Sequence, residues 1–205
     1  MNQQPGKILL LNGAPRSGKS SIVKGVLERF PGQWLNLGVD NYMKTLSPLL
    51  QPGIGLRPGG EAPEKEEAVL RMYRALYRSI AAHSREGFCV AADFGHHENY
   101  ASIENVFSSC LSLLEGLPVY LVGIYCPLEE ILRRREATGY AARDSEGNPL
   151  PPILRWQKEV HRNKKYDLIL DTSRLSPEEC LEQVEKLLAF PPAGKNRAET
   201  VPPEE

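Results

Sequence analysis

The stretch Lys7-Ile8-Leu9-Leu10-Leu11-Asn12 runs directly into Gly13-Ala14-Pro15-Arg16-Ser17-Gly18-Lys19-Ser20. The apolar run predicts a buried strand, and the eight residues after it match the phosphate-binding pattern G-x-x-x-x-G-K-S. Gly13 and Gly18 let the backbone curve so that successive N–H groups point inward and form an anion-binding concavity. With the amphipathic helical segment that follows, the pattern predicts a P-loop that binds a nucleoside triphosphate.

The predicted P-loop assigns a first set of site residues. Lys19 can reach the β- and γ-phosphates, and the Ser20 hydroxyl can ligate Mg²⁺, so ATP and Mg²⁺ are the expected cofactors. The residues expected to contact the nucleotide are Gly13, Ala14, Pro15, Arg16, Ser17, Gly18, Lys19, Ser20 and Ser21.

Composition disfavours some classes of partner. The 205 residues suit one α/β domain, and 25 Lys plus Arg against 26 Asp plus Glu give a formal charge of −1. This balance lacks the basic field that nucleic-acid binding requires, so no nucleic-acid partner is expected. Oligomeric state is left open.

Several features favour a cytoplasmic protein with no membrane partner. The chain lacks an apolar run long enough to span a membrane, and its N-terminus lacks a secretory signal pattern. The four cysteines are widely spaced and form no C-x-x-C pair, which favours free thiols in a reducing compartment.

Strand-like and helix-like segments alternate along the chain, which predicts a parallel sheet covered by helices. The expected strands are Ile8–Asn12, 34–39, 88–93, Val119–Tyr125 and Leu168–Asp171. The sequence therefore predicts an α/β fold, a P-loop NTPase or kinase-like three-layer sandwich with a five-stranded parallel sheet. Residues 1–190 form the single expected domain, with a lid-like loop at about 138–152, and 191–205 form a disordered tail.

Two carboxylates follow predicted strands, at the sheet edge where ligands bind in open α/β folds. Asp40 ends Leu37-Gly38-Val39-Asp40, and Asp93 ends the next strand along the chain. Phosphoryl transfer needs a metal-holding carboxylate and a group that orients or deprotonates the nucleophile. Two alternatives stay open, since Asp40 could serve as a helix N-cap and Asp93 as a turn residue.

Cations near the predicted lid could stabilise a transferring phosphoryl group. Arg133, Arg134 and Arg135 precede the lid and Arg143 lies within it. The alternative is a solvated helix end favoured by the helix dipole. His96-His97 could line an acceptor pocket, although surface or loop histidines are the default interpretation for such a pair.

Three groups of residues resemble the chloramphenicol phosphotransferase-like family of P-loop kinases. They are Leu11-Asn12-Gly13 with Gly18-Lys19-Ser20-Ser21, Trp34-Leu35 with Gly38-Val39-Asp40, and Val160-His161 with Tyr166-Asp167 and Leu170-Asp171-Thr172. The resemblance runs from about Lys7 to the last helix. The family's Gly-Asp-Arg lid sequence is replaced here by residues 138–143.

The resemblance implies ATP- and Mg²⁺-dependent transfer of the γ-phosphoryl group to a hydroxyl of a small molecule, as in chloramphenicol 3-O-phosphotransferases. It implies Asp40 as the catalytic base and Asp93 in metal or acceptor contacts. By the same resemblance Arg135 is expected beside Lys19 in catalysis, and Arg143 at the nucleotide. An apolar acceptor wall, or alternatively core, is expected from Met43, Leu46, Leu49, Leu50 and Ile54.

Two rival functions use the same P-loop. One is a kinase of nucleotides or nucleic-acid ends, which the near-neutral charge disfavours in its nucleic-acid form. The other is a non-catalytic nucleotide-binding module, which has no need of a carboxylate base such as Asp40.

Overall fold

The computed structural model describes residues 4–201, and within that range five parallel strands form one sheet in the order β2-β3-β1-β4-β5. The strands are β1 (Ile8–Asn12), β2 (Trp34–Asn36), β3 (Cys89–Phe94), β4 (Val119–Tyr125) and β5 (Leu168–Asp171). The α/β prediction is confirmed. Because β1 lies at the centre of the sheet, the loop that follows it emerges in the middle of the ligand-binding edge.

Seven α-helices connect or follow the strands in the described range. They are α1 (Lys19–Arg29), α2 (Val39–Met43), α3 (Pro63–Arg85), α4 (Val106–Leu111), α5 (Leu128–Ala137), α6 (Pro151–Val160) and α7 (Pro177–Leu188). Proline opens α3, α6 and α7, where a missing backbone N–H costs nothing. Ser176 and Glu179 form a capping box at the start of α7.

The core lies on both faces of the sheet because successive side chains of a strand point in opposite directions. Ile8 and Leu10 of β1 pack in a cluster with residues of α3 and α4. Leu9 and Leu11 pack on the other face with residues of α1 and α7. These two apolar layers make the three-layer sandwich and hold β1 rigid beneath the P-loop.

Strand β2 ends at Asn36, three residues before the predicted boundary. The Asn36 side-chain oxygen accepts a 2.9 Å hydrogen bond from the backbone N–H of Gly38, a local turn that competes with the strand ladder. Gly38 then occupies the N-cap position of α2. Asp40 is therefore the second residue of that helix rather than its cap.

The sequence predicts a disordered tail from residue 191, but its described part contacts the edge strand of the sheet. Glu199 exchanges backbone hydrogen bonds with Tyr166, and Arg197 forms a 2.7 Å ion pair with the buried carboxylate of Asp167. The charged pair and the open edge of β5 together hold this segment, which local composition does not reveal. Residues 202–205 of the expected tail lie outside the described residues.

The four cysteines are free, as expected from their spacing. Between residues 4 and 201, no helix is long and apolar enough to cross a membrane.

Candidate active site

The P-loop connects β1 to α1 and lies at the floor of a cleft of about 1190 Å³. Gly18 has φ 98°, a left-handed conformation that glycine adopts without steric cost. At Gly13, a Cβ atom would collide with the backbone carbonyl of Ile124. Both glycines are thus required by the geometry of the loop.

Lys19 lies in the floor of this cleft, where its Nζ donates a 2.8 Å hydrogen bond to the carbonyl of Ala14. Burial lowers the pKa of Lys19 from 10.5 to about 8, while the nearby charges of Asp93 and Asp40 act in the opposite direction. The ammonium group of Lys19 is therefore close enough to Asp93 and Asp40 to interact with their charges, and it would also interact with an anion bound in the cleft.

Ser20 and Asp93 are brought together as the sequence predicts. The Ser20 hydroxyl donates a 2.8 Å hydrogen bond to Oδ2 of Asp93, which is only 8% exposed. A serine hydroxyl and one carboxylate are a donor set that suits Mg²⁺, which keeps waters and phosphate oxygens as its other ligands. Across residues 4–201 no group of three or more His, Cys, Asp or Glu side chains is arranged to hold a metal ion.

Asp40 lines the same cleft from the first turn of α2. Its carboxylate is exposed and makes no hydrogen bond or ion pair within the described part of the chain. Gly38, two residues earlier, packs directly against the Asp93 carboxylate, and a Cβ there would displace it. Asp93 is thus held in place, whereas the Asp40 side chain is exposed in the cleft.

Arg134 connects the P-loop to the end of β5 by hydrogen bonds. Its guanidinium donates to the carbonyl of Arg16 at 3.3 Å and to the side chain and carbonyl of Thr172 at 3.1 and 2.7 Å. The Thr172 hydroxyl in turn donates to the carbonyl of Ser17 at 2.7 Å. Sequence reasoning did not assign this role to either residue, although Thr172 stands at the end of a strand, where functional groups are expected.

Glu130 holds the side chains of Arg133 and Arg134. Arg133 reaches both of its carboxylate oxygens at 2.7 Å, and Arg134 reaches one at 2.8 Å. These hydrogen bonds, from Arg133 and then Arg134, lower the pKa of Glu130 from 4.5 to about 2. Both arginines line the cleft, but their charges are already paired.

Arg135 and Arg143 are placed differently. Arg135 lines the cleft, and its pKa is lowered by burial and by the neighbouring charges of Arg16 and Arg57. Arg143 instead pairs with Glu129 at 2.8 Å and Glu136 at 3.5 Å. It is not among the residues that line the cleft, and these two carboxylates of α5 pair its charge.

Residues of the Val-His…Tyr-Asp motif lie behind the P-loop rather than in the cleft. Asn12 donates to the hydroxyl of Tyr166 at 2.9 Å and to the carbonyl of Val160 at 2.8 Å, and accepts from the N–H of His96 at 2.7 Å. The Tyr166 hydroxyl is 2.8 Å from Nδ1 of His161, whose pKa burial lowers to about 4. Burial favours the neutral form of this imidazole, and the network fixes the residue that precedes Gly13.

His96 and His97 are fully buried, so neither lines an acceptor pocket and neither lies on the surface. Burial lowers the pKa of both imidazoles, that of His97 to about 4. His96 approaches the Tyr77 hydroxyl at 2.8 Å, and Nε2 of His97 donates to the carbonyl of Leu56 at 3.0 Å. The two histidines lie in the segment after β3 and pack beneath residues that line the cleft.

The apolar lining of the cleft differs from the wall that the sequence predicts for an acceptor. Of the five residues expected there, Ile54 lines the cleft, while Met43 and Leu46 pack against the core and Leu49 and Leu50 are exposed. The remaining apolar lining comes largely from α6 and the segment before it. These residues, together with Val39 and Phe94, are Leu150, Pro152, Ile153 and Trp156.

Comparison with known proteins identifies relatives of the whole domain. The model of a family described as chloramphenicol phosphotransferase-like protein matches residues 6–189. A relative from Mycobacterium tuberculosis strain H37Rv, named "Putative O-phosphotransferase", is 25% identical over 183 residues, covering 82% of this chain and 76% of the relative.

Two solved structures share the fold. APS kinase of Mycobacterium tuberculosis, in complex with AMPPNP and APS, has a TM-score of 0.56 at 19% identity and covers 91% of this chain and 99% of its own. A sugar kinase from Janibacter sp. has a TM-score of 0.60 at 20% identity, with 92% and 98% coverage. The architecture is that of P-loop kinases.

Proposed function

This chain belongs to the chloramphenicol phosphotransferase-like family and is a P-loop phosphotransferase, and we propose that it transfers the γ-phosphoryl group of ATP to a hydroxyl of a small molecule, with Asp40 as the general base. The observation that carries the proposal is the placement of Asp40. Its exposed carboxylate shares one cleft with Lys19 and with the Ser20–Asp93 pair.

The donor half of the cleft fits a nucleoside triphosphate. Backbone N–H groups of the P-loop and the N-terminus of α1 supply donors for phosphate oxygens, and Lys19 supplies a positive charge. Ser20 and Asp93 would hold Mg²⁺, which neutralises phosphate charge when bound. Beyond Gly18, the cleft continues between α5 and the start of α7, lined by Arg134, Thr172, Leu175 and Pro177, where a base and ribose have room.

The chain's own residues account for the transfer step. Asp40 accepts the proton of the acceptor hydroxyl while the hydroxyl oxygen bonds to the γ-phosphorus of ATP. The bond between that phosphorus and the β,γ-bridging oxygen breaks, and ADP leaves. Lys19 and Arg135 stabilise the negative charge that spreads over the transferring group. The apolar residues of α6 exclude water from the acceptor side, which favours transfer over hydrolysis.

A screen of acceptors tests this proposal. Purified protein is incubated with Mg·ATP and individual hydroxylated small molecules, chloramphenicol included, and ADP release is compared with the rate in water alone. We expect acceptor-dependent ADP release together with a phosphorylated product of the matching mass. ADP release that no acceptor accelerates would contradict the assignment to small-molecule transfer.

A further inference from the structure

We propose that the acceptor carries an anionic group and that Arg57 binds it. This inference rests on the proposed function and adds the chemical class of the acceptor to it. It starts from the cations of the cleft, which are Arg16, Lys19, Arg57, Arg133, Arg134 and Arg135, against two lining carboxylates, Asp40 and Asp93.

Most of these cations already have a partner within the protein or belong to the P-loop. Arg133 and Arg134 are paired with Glu130, and Lys19 lies at the P-loop. Arg135 donates twice to the carbonyl of Ala141 at 2.8 and 3.0 Å, beside the lid. Arg16 belongs to the P-loop itself, and its guanidinium stacks 4.1 Å from the ring centre of Tyr140.

Arg57 differs because it lies outside the P-loop and α5, in a segment that follows α2, the helix that carries Asp40. It follows Ile54 and Gly55 in the loop between α2 and α3, and both of these residues also line the cleft. Within residues 4–201 its one ion pair is with Glu61 at 4.0 Å, between side chains that are 55% and 46% exposed. A pair of this length and exposure contributes little, so the guanidinium is available to a ligand.

The backbone that carries Arg57 is held firmly. The preceding residue, Leu56, is buried, and its carbonyl accepts the hydrogen bond of His97. The carbonyl of Ile54 accepts a 3.0 Å hydrogen bond from the buried hydroxyl of Tyr73. These buried donors have no part in the transfer step. They fix the base of the Arg57 side chain, which reduces the entropy that its binding to an anion would cost.

The surroundings of Arg57 define the rest of the acceptor. The indole of Trp156 lies so close to Gly95 that a Cβ there would come within 2.9 Å of the ring. Together with Val39, Ile54 and Ile153 it offers an apolar surface in the cleft that Arg57 and Asp40 also line. The acceptor class that fits is a hydroxyl compound with an apolar or planar body and a carboxylate or phosphate at its other end.

The test uses matched pairs of acceptors with wild-type protein and the Arg57→Gln and Arg57→Lys variants. The pairs are hydroxylated aromatic and alicyclic carboxylates with their methyl esters, and nucleoside or sugar monophosphates with their unphosphorylated parents. Arg71→Gln removes an exposed guanidinium of α3 that is not among the cleft-lining residues, and serves as the matched control.

We expect the anionic member of the preferred pair to be the better substrate. Arg57→Gln should lower its kcat/KM about 10- to 100-fold, the range for losing a hydrogen bond to a charged group, and change that of the neutral member less than about threefold. Arg57→Lys should retain part of the preference, and Arg71→Gln all of it.

The outcomes separate the two proposals. Preferred turnover of neutral acceptors, or an equal loss for both members of a pair in Arg57→Gln, would overturn the anion site and leave the phosphotransferase proposal standing. A failure of every pair, and of every acceptor in the wider screen, to accelerate ADP release would contradict both.

Discussion

The Ser20 hydroxyl donates a 2.8 Å hydrogen bond to the Asp93 carboxylate, which joins the first turn of α1 to the carboxyl end of β3. Strand β3 pairs with β1 in parallel, with Leu11 beside Asp93, so the two groups meet because adjacent parallel strands end at one edge. Gly38, in the loop between β2 and α2, packs against the same carboxylate. The proposed metal ligands are therefore aligned by the sheet itself.

Replacing Asp93 with Asn tests its role at the proposed metal site. The amide keeps the size of the side chain but removes the charge, so the Mg²⁺ concentration for half-maximal rate should rise about 100-fold or more. Rates measured across a Mg²⁺ titration give the result, and Glu178→Gln, an exposed carboxylate of α7, is the control. An unchanged Mg²⁺ dependence with a raised KM for the acceptor would assign Asp93 to the acceptor instead.

The lowered pKa of Lys19 predicts a pH dependence of ATP binding. Lys19 is charged below its pKa of about 8 and loses its proton as the pH rises through that value. ATP affinity should therefore be highest below about pH 8 and fall by up to about tenfold per pH unit above it. Bound phosphate opposes this loss by favouring the charged form.

Calorimetric titration of ATP at several pH values measures this effect. Lys164 is a suitable control because burial lowers its pKa to about 8 as well, outside the cleft lining. The Lys164→Met variant should keep the full pH dependence. A dependence that disappears in Lys164→Met, or an ATP affinity that stays constant to about pH 9.5, would contradict the role of Lys19.

Tyr166→Phe tests whether the buried network supports the P-loop. The variant removes the hydroxyl that Asn12 and His161 both contact, so each loses one buried hydrogen bond, which should cost about 1–3 kcal/mol in the free energy of unfolding and also weaken ATP binding. Tyr120→Phe is matched to it, since that hydroxyl donates to the carbonyl of Phe190 at 2.8 Å, far from the P-loop.

Denaturant unfolding measures the stability of both variants, and ATP titration measures their Kd for ATP. Comparing the two distinguishes an effect on the site from an effect on overall stability. Both proteins should lose stability, but only Tyr166→Phe should show a raised Kd for ATP. Equal Kd values in the two variants would mean that the network contributes to the fold alone.

The P-loop and the two carboxylates could be predicted because the signals are local. A glycine-bearing pattern after an apolar strand defines Lys19 and Ser20, and a strand end defines Asp93. Parallel pairing then brings them together, since ligand-side residues of neighbouring strands share one edge.

Other parts of the site depend on contacts between distant segments. Arg143 forms ion pairs with Glu129 and Glu136, and these pairs depend on how the segment after α5 packs against that helix. The apolar lining of the cleft includes Trp156 on α6, about a hundred residues beyond Ile54, so no local pattern connects them. His96 and His97 are buried because partners such as Tyr77 are supplied by α3.

The most direct test of the account follows the label from γ-labelled ATP into an acceptor, with wild-type protein and Asp40→Asn compared at equal ATP saturation. Asp40→Asn should bind Mg·ATP with a Kd within about threefold of the wild type, because its carboxylate contacts the acceptor. Label transfer should fall by about 100- to 10,000-fold, the contribution of a general base. Near-normal transfer by Asp40→Asn would contradict the account.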